Sequence, residues 1–600
     1  MVKYLLKGIL SAIAIKLLAN YRHLSLQLLK IEAAKSYLHG VRMARLSAIG
    51  LVRMGLVVAL ICVGALLLHA GLFILLPRSA RKERADRARA VDSPTHREKR
   101  YEFMLTSHIL GIYYLAIMSA RIPLMRKSPF VIDPRPLSEA SSAHAGLLGV
   151  SRAYRALNVP GLMEANVSVK LRQRGFTEAQ FGETLVLVNA VGGDSYADVE
   201  LLDADRCLAQ GLGYRLPKAT AVREFCEAFH DPQKVTRPVG YKQEAFIPEP
   251  SSRLEGLARV LRGVVHRGAG LYEQQEAPLH TATIDLDATI IESHKQAATW
   301  SYEGIKGYQP AVAVWAEADL VVADEFRDGN VPAGMEPLRL TQEAFAALPA
   351  GIQRRAFRAD SACYEQKTLN WLSAPARAEE PGGPIAFAVS ADMSPQLRAV
   401  AVAIPEKGWR TFGREANGVL RQWAELPFVP SARYEHKDAK PLRYIGLRLV
   451  KPQGEFFDTG SRTAYFAVVT NRRDRGDRLI EWHREKAGTI EHVHEEVKNG
   501  LAGGVLPSGK FGANAVWFRF ALLTYNVLSL LRGLALDGEL HRAKIRTLRL
   551  HLINVAGRMN RYGCKLKLRF CAPASTIERI QRIWTVFALP SQPTAFFSTA

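Results

Sequence analysis

Hydrophobic and polar positions change rhythm several times along the 600 residues, and each change predicts a different kind of element. Residues 54–76 are apolar almost throughout, with His69 the one clearly polar side chain, which is long enough for the roughly 20-residue helix that spans a bilayer. Residues 1–20 are interrupted by Lys3, Lys7 and Lys16 and predict an amphipathic helix instead. A charged connector follows the apolar run, and residues 128–142 carry Pro129, Pro134 and Pro136 among serines, the composition of a linker. Between residues 143 and 275 the spacing becomes helical, with apolar residues three and four apart in 145–157, 178–191, 195–208 and 218–229. The glycine-containing turn at 209–217, followed by Lys218 to Arg223, matches a helix-turn-helix, although paired helices are more often plain bundle architecture.

Beyond residue 276 the period shortens. Residues 281–291 are rich in β-branched and aliphatic side chains and predict a buried strand holding Asp285 and Asp287. Residues 311–316 and 320–326 predict a hairpin, 341–348 a helix, and 355–360 a strand ending in Asp360. Strand, strand, strand, helix, strand, with acids on the first and fourth strands, is the order of a ribonuclease-H-like core, in which those two strands are neighbours. Residues 384–470 alternate with period two, including 385–389, 400–403, 444–450 and 464–469, and predict a β-rich insertion whose Arg443, Arg448 and Lys451 are candidates for DNA contact. Residues 511–534 are of span length, but Arg519 and Arg532 interrupt them, so a core helix is expected.

Charge narrows the partners. Lys and Arg number 80 against 57 Asp and Glu, a net +23, which favours a polyanion: nucleic acid or an acidic membrane surface. Cys62, Cys207, Cys226, Cys363, Cys564 and Cys571 form no CxxC pair, which argues against a disulfide framework or a zinc ribbon and suits a reducing compartment. The cations after residue 76 slightly outnumber those before residue 54, which would place the C-terminal bulk in the cytoplasm. Gly504 to Lys510 fits GxxxxGK, but Phe511 stands where a phosphate loop needs Ser or Thr, so nucleotide binding is not expected. His492 and His494 do not make an HExxH zinc pair and are expected to face solvent.

The last candidate chemistry lies after the insertion. Arg484, Glu491 and Lys498 are seven residues apart, so on one helix they would share a face. A carboxylate between two cations suits a metal beside phosphate oxygens, and it equally suits a surface salt-bridge helix. With these residues the chain resembles the DDE transposases of bacterial insertion sequences, in the Tyr-Arg-Glu-Lys signature group and the insertion-sequence thirteen-eighty family. The resemblance is carried by Leu286-Asp287-Ala288-Thr289, Arg358-Ala359-Asp360-Ser361, Lys486-Ala487-Gly488-Thr489-Ile490-Glu491 and Lys498-Asn499-Gly500, and runs over about residues 143–587.

It implies Asp287, Asp360 and Glu491 as a catalytic, metal-binding triad and Lys498 as the signature lysine. Asp285 is the rival of Asp287, which is preferred because a small residue and threonine follow it. The sequence departs from the signature where Ala487 stands for arginine and Arg484 for tyrosine, so Arg484 or Lys486 would supply the missing charge towards DNA. Further implied are two Mg²⁺ ions, with Mn²⁺ as a substitute, double-stranded transposon-end and target DNA, a homodimer on DNA, and cleavage of the ends followed by strand transfer. The runner-up is a membrane-anchored DNA-binding protein with an inactive nuclease-like core.

The expected architecture is α/β: a ribonuclease-H-like core with a β-rich insertion, a helical N-terminal DNA-binding domain and a preceding transmembrane helix. Its expected divisions are an amphipathic segment (1–53), the transmembrane helix (54–76), a charged connector and linker (77–142), the helical domain (143–275), core (276–383), insertion (384–470), core with the third acid (471–535) and a C-terminal helical region (536–600). The body would be cytoplasmic and anchored to the inner membrane by residues 54–76. Because a recombinase gains nothing evident from an anchor, residues 1 to about 125 are expected to derive from an in-frame fusion, with Met125 near the native start.

Overall fold

A strand with neighbours on both edges and cover on both faces must be apolar or carry paired charges, and Thr281–Ala288 (β2) meets that demand. Its Ala282, Ile284 and Leu286 are buried, as are Thr283 and Asp285. The computed structural model describes residues 132–589, apart from 136, 138, 171–173, 236–244, 431–440 and 564. The expected segments 1–53 and 54–76 and most of the connector therefore lie outside the described residues. Among the described residues no helix is long and apolar enough to cross a membrane.

The chain from Arg135 onward clusters as one unit. After β1 (Ala140–Ser142) it runs through α1 (Leu147–Ala156), α2 (Val159–Asn166), α3 (Glu178–Val191), α4 (Arg206–Leu212), α5 (Ala219–Glu227) and α6 (Ser252–Gln274), then into β2. A small antiparallel sheet follows, formed by β3 (Ile291–Glu292), β4 (Thr299–Trp300) and β5 (Lys306–Tyr308). Next come β6 (Ala311–Trp315), β7 (Leu320–Glu325), α7 (Pro337–Ala346), β8 (Arg354–Ala359), α8 (Gln366–Ser373), β9 (Ile385–Ala391) and α9 (Pro395–Ala403). The chain continues as β10 (Arg410–Arg414), β11 (Leu420–Leu426), β12 (Arg443–Val450), β13 (Thr463–Thr470), α10 (Gly476–Arg484), α11 (Lys486–Glu495) and α12 (Phe511–Ala535). It closes with β14 (Gly557–Tyr562), β15 (Lys565–Phe570) and α13 (Ala574–Val586).

Nine strands form one mixed sheet in the order β10-β11-β12-β13-β9-β8-β2-β6-β7. Strand β2 runs parallel to β8, with Leu286 opposite Ala359, and antiparallel to β6, with Asp287 opposite Val312. The parallel pair β8 and β9 is joined through α8, since parallel neighbours need a crossover. Residues 384–470 thus extend the sheet itself: β9 belongs beside β8, and β10 to β13 prolong the sheet as antiparallel strands. Residues 400–403, whose alternation predicts a strand, form the end of helix α9 instead. Ser394 caps that helix by accepting from Leu397 N, and Pro395 occupies its first turn, so the start signal outweighs a four-residue alternation.

Helix α12 is the helical pillar of the unit, buried from Gly512 to Arg532. Its arginines are tolerated because each has a carboxylate: Arg519 binds Asp324 through two nitrogens at 2.8 and 2.9 Å, and Arg532 pairs with Asp319. Asn526 donates to Val321 O at 2.7 Å and accepts from Val321 N at 2.8 Å, so one side-chain amide closes the open edge of β7. Helices from residues 143–275 pack on α12 and share its apolar core, with Phe225 stacked on Phe181 at 4.7 Å. The C-terminal stretch, where helix is expected, contains the hairpin β14–β15, with β14 also paired to β1.

Candidate active site

The parallel register of β2 and β8 brings two acidic ends together. Asp285 faces Arg358 and Leu286 faces Ala359, so the chain emerges from neighbouring strands at Asp287 and Asp360. The two carboxyls are close enough for the Asp287 charge to act on Asp360. Burial first, and then the neighbouring Asp287 carboxylate, hold the Asp360 carboxyl above its usual range, with Lys486 pulling the other way. Asp287 Oδ1 accepts from Ala288 N at 2.8 Å, and Asp360 Oδ1 accepts from Ala362 N at 3.1 Å, so both side chains are aimed by their own following backbone.

Lys486 Nζ donates to Asp287 Oδ2 at 3.2 Å from the first turn of α11 and is buried. Lys498 Nζ donates to Ile290 O at 2.7 Å and Thr289 Oγ1 at 3.2 Å, which ties the loop after Asp287 to the end of the same helical stretch. Burial lowers the Lys498 ammonium's pKa, a shift Glu303 opposes. His494, expected in solvent, is instead buried on the face of α11 that turns towards the sheet. Desolvation pushes its imidazole down to about 4 although the Asp287 charge acts the other way, and its Nε2 has no partner among the described residues.

Glu491 and Arg484 are exposed. The common helical face expected for Arg484, Glu491 and Lys498 is not kept, because a turn at Glu485 separates α10 from α11 and residues Glu496–Gly500 widen into a π-helix that carries Lys498. Lys498 reaches the strand end, Arg484 stands near Arg421 of β11, and Glu491 lies exposed outside the pair of aspartates. Among the described residues no group of three His, Cys, Asp or Glu side chains is placed to hold a metal ion. The paired aspartate oxygens suit a hard divalent cation in donor type, while Glu491 as placed does not.

Asp285 is already committed. Arg358 Nε and Nη2 donate to its two oxygens at 2.7 and 2.9 Å, and Thr489 Oγ1 donates to it as well. The same guanidinium donates through Nη1 to Trp482 O at 2.8 Å and Glu485 Oε2 at 2.9 Å. Arg358 therefore clamps β2, β8 and the junction of α10 with α11 at one point. His483 adds a second tie: Nε2 lies 2.9 Å from Ala359 O, so it carries the proton and donates. Burial drives that imidazole down to about 4.

The sequence reading gave Arg358 no structural role and missed the His483 tie. The signal available for Arg358 was a charged residue inside a buried strand, two positions before Asp360, just as Asp285 stands two positions before Asp287. It also missed the β3–β5–β4 sheet, which brings exposed Tyr302 within electrostatic reach of Asp360 and Asp287.

The insertion cations behave differently from expectation. Arg448 is buried against Gln422 and Glu406, Arg443 binds Glu425 and two backbone carbonyls, and Lys451 donates to Phe456 O. Each is spent within the fold rather than held out for a polyanion. Lys218, in the expected recognition segment, is likewise paired with Asp203 at 2.6 Å.

A family described as Transposase DDE domain group 1 matches residues 179–589. No curated protein matches the chain. Among solved structures, the chain is similar to a piggyBac transposase synaptic complex with hairpin DNA, determined by cryo-EM. The two share 9% sequence identity at a TM-score of 0.33, over 68% of this chain and 80% of the other.

Proposed function

Since this chain belongs to the DDE transposase family, group 1, we propose that it cuts the terminal inverted repeats of an insertion sequence and joins them to target DNA at the Asp287–Asp360 pair. The observation that carries this reading is the meeting of those two carboxyls at the ends of β2 and β8, raised Asp360 included. The order β7-β6-β2-β8-β9, with the first and fourth core strands adjacent, supports a ribonuclease-H-like core. Placement in the insertion-sequence thirteen-eighty family rests on the quoted motifs.

DDE transposases generally use divalent metal ions, and Asp287 and Asp360 are the residues proposed to hold Mg²⁺, with Mn²⁺ as a substitute. A bound divalent ion would polarise a phosphoryl oxygen and make a nucleophile available at neutral pH. The protein's own part is positional. Arg358 and His483 fix the two strand ends against α10 and α11, and Lys498 holds the loop at Thr289 and Ile290. Lys486 supplies positive charge beside the acids, where phosphate oxygens would arrive. In the proposed reaction water attacks the end phosphorus and the P–O3′ bond breaks. The released 3′-hydroxyl then attacks a target phosphorus, and as the new P–O bond forms the target's own P–O3′ bond breaks and leaves a target 3′-hydroxyl.

Glu491 remains the proposed third acid on the strength of the resemblance alone. Its exposed position favours the second reading, a DNA-binding protein with an inactive core. Anchoring through residues 54–76 and assembly as a homodimer on DNA are further parts of the proposal that rest on the sequence.

Incubating the purified full chain with duplex carrying the element's end and Mg²⁺ separates the readings. Nicking lost in Asp287→Asn supports the transposase chemistry. Duplex binding without nicking, unchanged in the variant, supports the inactive core.

A further inference from the structure

The strand pair β14–β15 has two unlike faces set by its register. Gly557, Met559, Arg561, Leu566, Leu568 and Phe570 belong to one face, of which Met559, Leu568 and Phe570 pack on the core while Arg561 and Leu566 lie out at the tip. Arg558, Asn560, Tyr562, Lys565, Lys567 and Arg569 belong to the other, since Arg558 pairs with Arg569, Asn560 with Lys567 and Tyr562 with Lys565. Strand β1 supports β14 only at Gly557, Arg558 and Met559. Beyond that support Arg561, Tyr562, Lys565, Leu566 and Lys567 are all exposed, so the tip stands clear of the body on both faces.

Its charge is one-sided. No Asp or Glu occurs between Leu540 and Ile577, and Arg558 at the base is the hairpin cation that meets a carboxylate, Glu139. Tyr562 is 75% exposed and Leu566 47%, and Lys567 Nζ lies 4.9 Å from the Tyr562 ring centre. A folded ribbon that displays an aromatic ring among cations and no acid is suited to a surface that is anionic at its edges and flat inside.

We propose that the β14–β15 ribbon is a DNA-binding element that enters the major groove of duplex DNA. A two-stranded ribbon fits the groove, which is about 12 Å wide and 8.5 Å deep. The three unsupported residue pairs, from Asn560 opposite Lys567 to Tyr562 opposite Lys565, reach roughly 10 Å. Arg561, Lys565 and Lys567 would meet the flanking phosphates, and Tyr562 and Asn560 the base edges. The proposal rests on the transposase reading only for the choice of the element's own DNA as ligand. It assigns end binding to a C-terminal ribbon rather than to the helical segment at 195–223 or the insertion arginines.

The test measures binding of the full chain to a short duplex over a range of KCl concentrations. Replacing Arg561, Lys565 and Lys567 together by alanine should weaken binding at least tenfold and reduce the slope of log affinity against log salt by about 2.7, or about 0.9 per lost phosphate contact. The charge-keeping variant R561K/K565R/K567R should retain the wild-type slope, which excludes misfolding as the cause. Binding is read without added divalent metal, so a failure of cleavage chemistry leaves the readout untouched and is distinguishable from a failure of the ribbon. Unchanged affinity and slope in the alanine variant overturn the proposal. So does loss of binding to anionic phospholipid vesicles with duplex binding intact, which would make the ribbon a membrane contact.

Discussion

Arg358→Ala is the substitution expected to do most damage without touching a proposed ligand. Asp285 is fully buried and the Arg358 side chain is 3% exposed, so removing the guanidinium leaves a carboxylate with no cation and no water. Breaking a buried pair in this way costs about 3–5 kcal/mol. The two bonds to Asp285, at 2.7 and 2.9 Å, carry most of that loss. The bond to Glu485 adds little, because that carboxylate is 64% exposed and screened by solvent. With an unfolding entropy of roughly 2.1 cal/mol/K per residue, the unit from Arg135 to Ala600 should melt about 3–5 °C lower. Asp285→Leu combined with Arg358→Met should recover at least about 2 kcal/mol relative to the sum of the single changes, since the pair disappears together. Thermal unfolding of the five proteins (wild type, Arg358→Ala, Asp285→Leu, Arg358→Met and the double variant), followed by circular dichroism, reads both quantities. A loss under about 1 kcal/mol for Arg358→Ala, or strict additivity of the pair, would refute the clamp.

Asp360→Asn should raise the melting temperature of metal-free protein at pH 7, because it removes the cost of burying that charge and relieves its repulsion with Asp287. A carboxyl whose folded pKa is raised destabilises only above its unfolded pKa, so the gain should vanish near pH 3–4, and added Mg²⁺ should stabilise wild type but not the variant. Equal Mg²⁺ stabilisation of both would be the contrary result in a calorimetric scan. His483 is pushed down to about 4, so its contribution is present above about pH 6.5 and is lost as pH falls towards 4. His483→Gln should flatten that acid limb by up to one proton's slope, about 1.4 kcal/mol per pH unit, and an unaltered limb in urea titrations would contradict it. Arg448→Ala should leave the salt slope of DNA binding unchanged, since Gln422 and Glu406 already occupy its guanidinium. A slope reduced by about 0.9 would show that it contacts phosphate.

The elements legible in the sequence were those whose pattern and partners agree locally. The 311–326 hairpin, the strand ending at Asp360 and the buried helix of residues 511–534 stand where the pattern puts them, and the strand expected over 281–291 forms from Thr281 to Ala288, with Ile291 passing to the small sheet. Residues 400–403 misled because four alternating positions carry less information than a Ser cap followed at once by a proline. The hairpin at 557–570 hid for a different reason. Four of the six residues on its polar face are cations, so its alternation reads as scattered charge rather than as a strand surface. Pairing distance explains what was missed at the site. That Arg358 meets Asp285 depends on the register of two strands 73 positions apart, and no local window holds both. Glu491 was chosen by resemblance, and its exposed position outside the pair depends on how α11 packs against the sheet, which no local window holds.

The central claim is that the Asp287 and Asp360 oxygens bind the metal that serves strand cleavage. Replacing either by cysteine exchanges a hard oxygen ligand for a thiolate, which Mn²⁺ accepts better than Mg²⁺. The account predicts that Asp287→Cys and Asp360→Cys lose end nicking by about 10³-fold or more in Mg²⁺, a barrier increase of roughly 4 kcal/mol, and regain much of it in Mn²⁺. Nicking at the wild-type rate in Mg²⁺ by either variant would contradict it.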